Sequence, residues 1–221
     1  ANNNLTEEAQ LRGLDCLSRF AQRLQGMPPA AVQIVGTNAL RVARNASEFM
    51  ARAEEVLGFP VEIIAGREEA RLIYLGVSHT LADDTGRRLV IDIGGGSTEF
   101  VIGERFETQV LDSLHMGCVS FRNAYFPDGR IQRKQFDKAM THASQELLNI
   151  RYRFRQLGWQ SAVGSSGSIK AISSVLATLK LTNGTITIDA LRELRQRLID
   201  MGHTDRLSEL GVRTDRQSIF P

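Results

Sequence analysis

Leu89-Val90-Ile91-Asp92-Ile93-Gly94-Gly95-Gly96-Ser97-Thr98-Glu99-Phe100-Val101-Ile102-Gly103 decides the fold. Residues 89–93 form an apolar run that ends on an acid and three glycines, and residues 98–103 and 106–111 follow as further apolar runs behind short turns, so three strands are expected in succession. Beyond them, Phe136, Met140, Leu147, Ile150 and Phe154 mark a long amphipathic helix over about residues 133–156. A short strand at Ala162-Val163 comes next, then helices over 169–179 and 189–201, the latter with Asp189 as its cap. Toward the N-terminus, Ala9, Leu14, Leu17, Phe20, Ala21 and Leu24 predict a helix over 5–24, capped by Thr6, with Glu7 and Glu8 facing the positive end of its dipole and Pro28-Pro29 ending it. Residues 32–35 and 61–64 read as buried strands, and 38–57 and 68–77 as helices. This alternation predicts an α/β protein with a parallel pair in its first half. The polar stretch 78–88, with Asp83-Asp84-Thr85-Gly86, reads as the turn into a second unit, giving domains over 1–77 and 78–221.

Composition narrows the class. The chain has 221 residues, enough for one large or two small domains, and its 27 Lys and Arg against 25 Asp and Glu leave a net charge of +2. Such a balance does not point to nucleic acid or to a membrane through bulk electrostatics. Cys16 and Cys118 have neither a disulfide framework nor zinc-ligand spacing around them, and His79, His115, His142 and His203 have no metal or triad spacing. No apolar run approaches the roughly 20 residues of a membrane span, and the start has no signal-peptide pattern. A cytoplasmic protein is expected, and the sequons at Asn45 and Asn183 then carry no weight. The apolar ending and the Ala start suggest a piece of a longer protein.

Chemistry concentrates in glycine loops. Three glycines between two strands remove every side chain from a turn, so backbone N–H groups can cradle phosphate oxygens, while Asp92 at the strand end is placed to hold a metal ion. The run is not a P-loop, because no Lys-Ser or Lys-Thr follows and no helix begins at once. A second loop, Gly164-Ser165-Ser166-Gly167-Ser168, lies between a strand and a helix, where amides and hydroxyls favour an anion. Gly36-Thr37-Asn38-Ala39-Leu40-Arg41 also follows a strand, although Arg41 in isolation reads as a solvated helix residue. Glu68 and Glu69 open a helix as ordinary dipole partners, about 100° apart and so no carboxylate pair on one face. A carboxylate there could still orient an attacking water. The basic residues between Arg151 and Arg155 read as a solvated face.

Gly66 to Tyr74, Val90 to Glu99, Met116-Gly117-Cys118-Val119-Ser120 and Gly164 to Lys170, with Tyr125 to Gly129, resemble in order the motifs of the Ppx/GppA exopolyphosphatase family. The resemblance implies the actin-like ATPase (ASKHA, ribonuclease H-like) fold of two related α/β domains closing on a phosphate cleft. Family members also carry a first phosphate loop and a closing Asp-Gly-Ala-Leu-Arg-Glu-Gly segment that do not occur here. A fold incomplete at both ends is therefore expected, with the remainder of domain I over 1–77 and a domain II lacking its last strand and helix over 78–221. Unpaired sheet edges would then favour self-association.

By that resemblance Glu69 is the catalytic base; Gly94, Gly95, Gly96, Ser97, Thr37, Arg41, Gly164, Ser165, Ser166, Gly167 and Ser168 bind phosphate; and Asp92 and Glu99 serve Mg²⁺. Asn45 belongs to the same stretch of the first domain, and Arg44 and Arg71 are further candidates for an anionic substrate. The implied reaction is removal of terminal orthophosphate from inorganic polyphosphate, with hydrolysis of the pppGpp 5′-phosphate as the alternative. From other classes, an actin-like kinase and a non-catalytic module binding polyphosphate or alarmone are the rivals. The resemblance further implies a homodimer for the full-length protein, no nucleic-acid partner and no transmembrane segment, while leaving room for peripheral membrane association.

Overall fold

The computed structural model describes residues 3–81 and 86–220, so Asp83-Asp84-Thr85 lie outside the described residues. The chain divides into two compact units, Ala1–Glu69 and Ala70–Pro221.

In the first unit, helix α1 (Glu7–Leu24) starts where expected, with the Thr6 hydroxyl accepting from the Ala9 N–H. Strands β1 (Ile34–Gly36) and β2 (Val61–Ile63) pair in parallel, with Ile34 opposite Val61 and Gly36 opposite Ile63. The helix expected over 38–57 is instead two, α2 (Asn38–Val42) and α3 (Ala46–Leu57). Asn45 lies between them. Its side chain accepts from the Leu5 N–H at 2.8 Å and donates to the Leu5 carbonyl at 3.0 Å, so a partner forty residues away takes this amide at the break. Full burial was expected of both strands, yet Glu62 and Ile63 of β2 are exposed.

Helix α4 (Gly66–Thr80) carries the division between the units, which falls at residue 69 and not at 77. Ala70 and Tyr74, supported by Ile73 and Val77, pack with Val90 and Val101 of the second unit's sheet and so belong to its core. That sheet contains β3 (Arg87–Ile93), β4 (Thr98–Glu104), β5 (Glu107–Leu114) and β6 (Ser161–Gly164) in the order β5-β4-β3-β6. The first three are antiparallel neighbours and β6 lies parallel to β3. Strand alternation sends Leu89, Phe100 and Ile102 to the opposite face from Val90 and Val101, against Ile150 and Phe154 of α6 (Arg133–Leu157). A third cluster gathers α7 (Gly167–Thr178), α8 (Ile188–Met201) and the following 3₁₀ segments around Val175, Leu176, Leu194, Leu198 and Leu207. The cap of α8 is Thr187, whose hydroxyl accepts from the Ala190 N–H, and not Asp189, which lies within the helix. Phe106 sits outside β5 and packs at a tilt against His79, with ring centroids 4.9 Å apart.

Tyr74 shows how closely α4 meets the sheet. It is 1% exposed and donates to the Arg105 carbonyl at 3.2 Å. Gly103 leaves room for its ring, since a Cβ there would lie 2.4 Å from Tyr74 Cζ. Burial pushes the phenol's pKa upward. Tyr74→Phe keeps the packing and removes the hydrogen bond, so a loss of about 1 kcal/mol is expected, read as a midpoint about 2–4 °C lower in thermal denaturation.

Candidate phosphate-binding site

In the first unit, the parallel pair brings the carboxyl ends of β1 and β2 together, the Ile64 N–H donating to the Gly36 carbonyl at 3.1 Å. The carboxyl ends of parallel strands are where α/β folds place ligands. Immediately after β1, the Thr37 carbonyl accepts the Leu40 and Arg41 N–H groups at 3.0 Å each and starts α2. Arg41 Nη1 then donates to the Ile64 carbonyl at 2.7 Å and to Glu69 Oε2 at 3.1 Å. The two side chains are 20% and 17% exposed, so the pair is partly withdrawn from solvent. Arg41 is thus no solvated helix residue. It fixes one carboxylate oxygen of Glu69, and its Nε and Nη2 donate to no protein group among the described residues.

In the second unit, residues 94–97 form the turn between β3 and β4, closed by the Gly94 N–H on the Ser97 carbonyl at 2.9 Å. The orientation of this turn is set by a helix that hydrophobic periodicity does not reveal, α5 (Cys118–Tyr125). The Gly94 carbonyl accepts from Cys118 N–H at 2.9 Å, and the Gly95 carbonyl accepts from the N–H groups of Val119 at 2.9 Å and Ser120 at 3.0 Å. Two features are served at once, because the first amides of a helix have no partner within it. In a trans peptide the carbonyl and the following N–H point in opposite directions. With the Gly94 and Gly95 carbonyls turned into α5, the N–H groups of Gly95 and Gly96 therefore face away from it. Neither these nor the Ser97 N–H donates to a protein group among the described residues. Successive free backbone amides are the kind of group that forms anion-binding concavities.

Other contacts fix the support. Thr98 Oγ1 donates to the Met116 carbonyl at 2.5 Å. A Cβ on Gly117 would lie 2.5 Å from the Gly95 carbonyl carbon and oxygen and from the Gly96 nitrogen, so only glycine permits this approach. Gly94, Gly95 and Gly96 are not needed for positive φ, since none adopts it.

The second glycine loop is fastened to the end of β3, the strand that leads into the first. Ser165 Oγ donates to Asp92 Oδ2, the Ser165 N–H donates to the Ile91 carbonyl at 3.0 Å, and Ser168 Oγ donates to the Ile93 carbonyl at 3.0 Å. Ser166 caps α7 by accepting from the Ile169 N–H at 3.2 Å. At the start of α7 a Cβ on Gly167 would meet the Arg216 guanidinium at 2.8 Å, a cation near the loop that no motif flagged. Gly164 packs on Ile169.

Asp92 and Glu99 lie directly opposite each other in the β3-β4 register. Directly opposed residues project from the same face with Cβ atoms about 4.5–5.5 Å apart. Glu99 is 1% exposed and accepts from Ser113 Oγ at 2.8 Å, whereas Asp92 is half-buried. Among the described residues no group of three or more His, Cys, Asp and Glu side chains could hold a metal ion. A carboxylate pair beside free amides fits Mg²⁺, which is held by one or two carboxylates with phosphate and water completing its shell. His115 is exposed.

An acid-ended strand, an amide turn facing away from α5 and a serine loop tied to that strand lie together in an α/β protein. The chain belongs to the Ppx/GppA phosphatase family, whose profile it matches over residues 1–221. An Aliivibrio fischeri relative named guanosine-5'-triphosphate,3'-diphosphate pyrophosphatase is 44% identical over 220 residues, covering 100% of this chain and 44% of the relative. A Haemophilus influenzae protein with a provisional exopolyphosphatase name is 45% identical over 219 residues, covering 99% and 68%. The chain spans less than half the length of the first relative and about two thirds of the second. Among solved structures, a Cytophaga hutchinsonii exopolyphosphatase superposes with a TM-score of 0.79 at 24% identity, covering 98% of this chain and 72% of that one. The Aquifex aeolicus Ppx/GppA enzyme gives 0.74 at 22% identity, with 98% and 73% covered. At these identities the fold is what is shared, and it is the α/β class that the motifs imply. No helix among the described residues is long and apolar enough to cross a membrane.

Proposed function

We propose that this chain contributes the catalytic base and a phosphate-binding loop to a phosphoanhydride hydrolase that removes terminal orthophosphate from inorganic polyphosphate. The observation that carries the reading is the pair of free amides at Gly95 and Gly96, turned away from α5 by the bonds that the Gly94 and Gly95 carbonyls accept from it. Glu69 accepts a proton from water as the water oxygen bonds to the terminal phosphorus, and the bond from that phosphorus to the bridging oxygen breaks. Orthophosphate and a chain shorter by one phosphate result. The loop amides stabilise the charge on the transferring group, as preorganised donors do. Asp92 and Glu99 would hold Mg²⁺, which supplies positive charge against the phosphoryl oxygens. Arg41 orients Glu69 through the oxygen it binds and has two nitrogens left for phosphate.

Phosphate release from long-chain polyphosphate with Mg²⁺, with pppGpp assayed beside it, tests the proposal. Release from polyphosphate supports it. Consumption of pppGpp alone would give the site to the second reading, which the name of the 44% identical relative favours. Binding of either without release would leave a sensor module. Arg41→Met should lower kcat by about 10-fold, less than the 10²-fold that a 1 Å misplacement of a reacting group costs. If instead KM alone rises, Arg41 binds phosphate and does not orient the base.

A further inference from the structure

We infer that the apolar groove beside the C-terminal half of α6 is a docking site for an acidic peptide segment of a partner protein, one that carries a large apolar side chain between its carboxylates. The groove encloses about 330 Å³ in the second unit. Leu89 and Phe100 of the sheet and Leu147, Ile150 and Phe154 of α6 form its floor, and Trp159, just beyond the end of α6, also lines it. Of β3 the groove uses Leu89, toward the start of the strand, whereas the glycine turn follows Ile93 at its other end. The floor belongs to the buried core, but the surface around it is apolar and open. Trp159 is 42% exposed, and Leu148 and Tyr152 are 62% and 74% exposed. Leu148 stands three residues before Arg151 and Tyr152 three before Arg155, so both lie beside the rim that these arginines form. Contiguous apolar surface of this kind marks interaction sites.

Charge chooses the occupant. Arg151 and Arg155, one helical turn apart, line the groove, and no acidic residue does. The basic stretch that reads from sequence as a uniformly solvated face is divided in the structure. Arg153 is paired with Asp112 at 2.5 Å, whereas Arg151 and Arg155 make no hydrogen bond or ion pair among the described residues. Two unpaired guanidinium groups above an apolar floor are complementary to carboxylates flanking an apolar anchor. A second copy of the chain, docked through the same face, would set these cations against themselves. Nucleic acid would satisfy the arginines but leave the floor empty, with Trp159 the one exposed ring on which a base could stack here. A bilayer surface cannot enter a cleft between a sheet and a helix.

This inference does not rest on the hydrolase reading. Trp159 is the only tryptophan of the chain, so its emission reports on the groove directly. The probe is a fluorescently labelled short peptide of glutamates around a central Leu-Phe pair, titrated with the protein by anisotropy while the emission of Trp159 is followed with the unlabelled peptide. Binding should be saturable, shift the Trp159 emission to the blue and weaken as salt is raised. Arg151→Glu/Arg155→Glu should weaken it by about 10-fold or more and Arg151→Gln/Arg155→Gln by less, because the first turns attraction into repulsion and the second only removes it. All four arginine substitutions are at exposed positions, and circular dichroism confirms that the variants are folded. Absence of binding would overturn the inference, as would equal affinity in the folded charge-reversed variant. So would equally tight binding of the same peptide with serine at its two apolar positions, which would reduce the groove to a pair of charges. An RNA oligonucleotide or phosphatidylglycerol vesicles that bind more tightly than the peptide, with the same Trp159 shift and the same loss on charge reversal, would also overturn it.

Discussion

Glu69→Gln should reduce phosphate release by about 10²-fold or more while leaving substrate binding within about threefold, because it removes a proton acceptor and keeps the size of the side chain. Gln can still accept from Arg41 Nη1 through its amide oxygen, so the 3.1 Å contact can persist and the fold of the first unit should be unchanged. The loss should therefore fall on kcat, read from steady-state release under saturating polyphosphate. An unchanged kcat would remove Glu69 from the chemistry. The same variant separates hydrolysis from sensing, since a binding module has no turnover to lose in either form.

Gly117→Ala should be the most damaging single methyl at the β3-β4 turn and its support, costing about 2 kcal/mol and lowering the thermal midpoint by about 4–8 °C. Its Cβ would enter within 2.5 Å of the Gly95 and Gly96 backbone, where no flexible side chain can swing aside. The turn must then lift from α5, breaking the bonds that the Gly94 and Gly95 carbonyls accept from Cys118, Val119 and Ser120. Without them the Gly95 and Gly96 amides lose their fixed direction, and phosphate affinity should fall with stability. Gly95→Ala is the control. Its Cβ meets the Val119 side chain, at 3.5 Å from Cγ2 and 3.9 Å from Cβ, ordinary contact, so the central glycine of the motif should tolerate the substitution better than the glycine twenty-two residues later. Equal midpoints for the two variants, by calorimetry, would refute this account of the loop.

The long elements were legible because their periodicity is local. Helix α6 and the three strands around Asp92 lie within a few residues of where the pattern puts them. Helix α5 was not, for its eight residues include exposed Val119 and Ser120 and give no sustained apolar face. The break between α2 and α3 was hidden because the groups that take up the Asn45 side chain belong to Leu5. Arg41 misled for the same reason, its partner lying 28 residues on.

By itself, the sequence determined the order of the strands and of the long helices, the glycine turn at the acid end of β3, and the residue types able to meet phosphate. Only the tertiary structure decided which way that turn faces and which charges pair. A glycine run can present either edge of its peptides, and the choice is made by hydrogen-bond donors from another part of the chain, at Cys118, Val119 and Ser120. Likewise Glu69 acquires its fixed geometry from Arg41 because β1 and β2 pair in parallel and bring their carboxyl ends together.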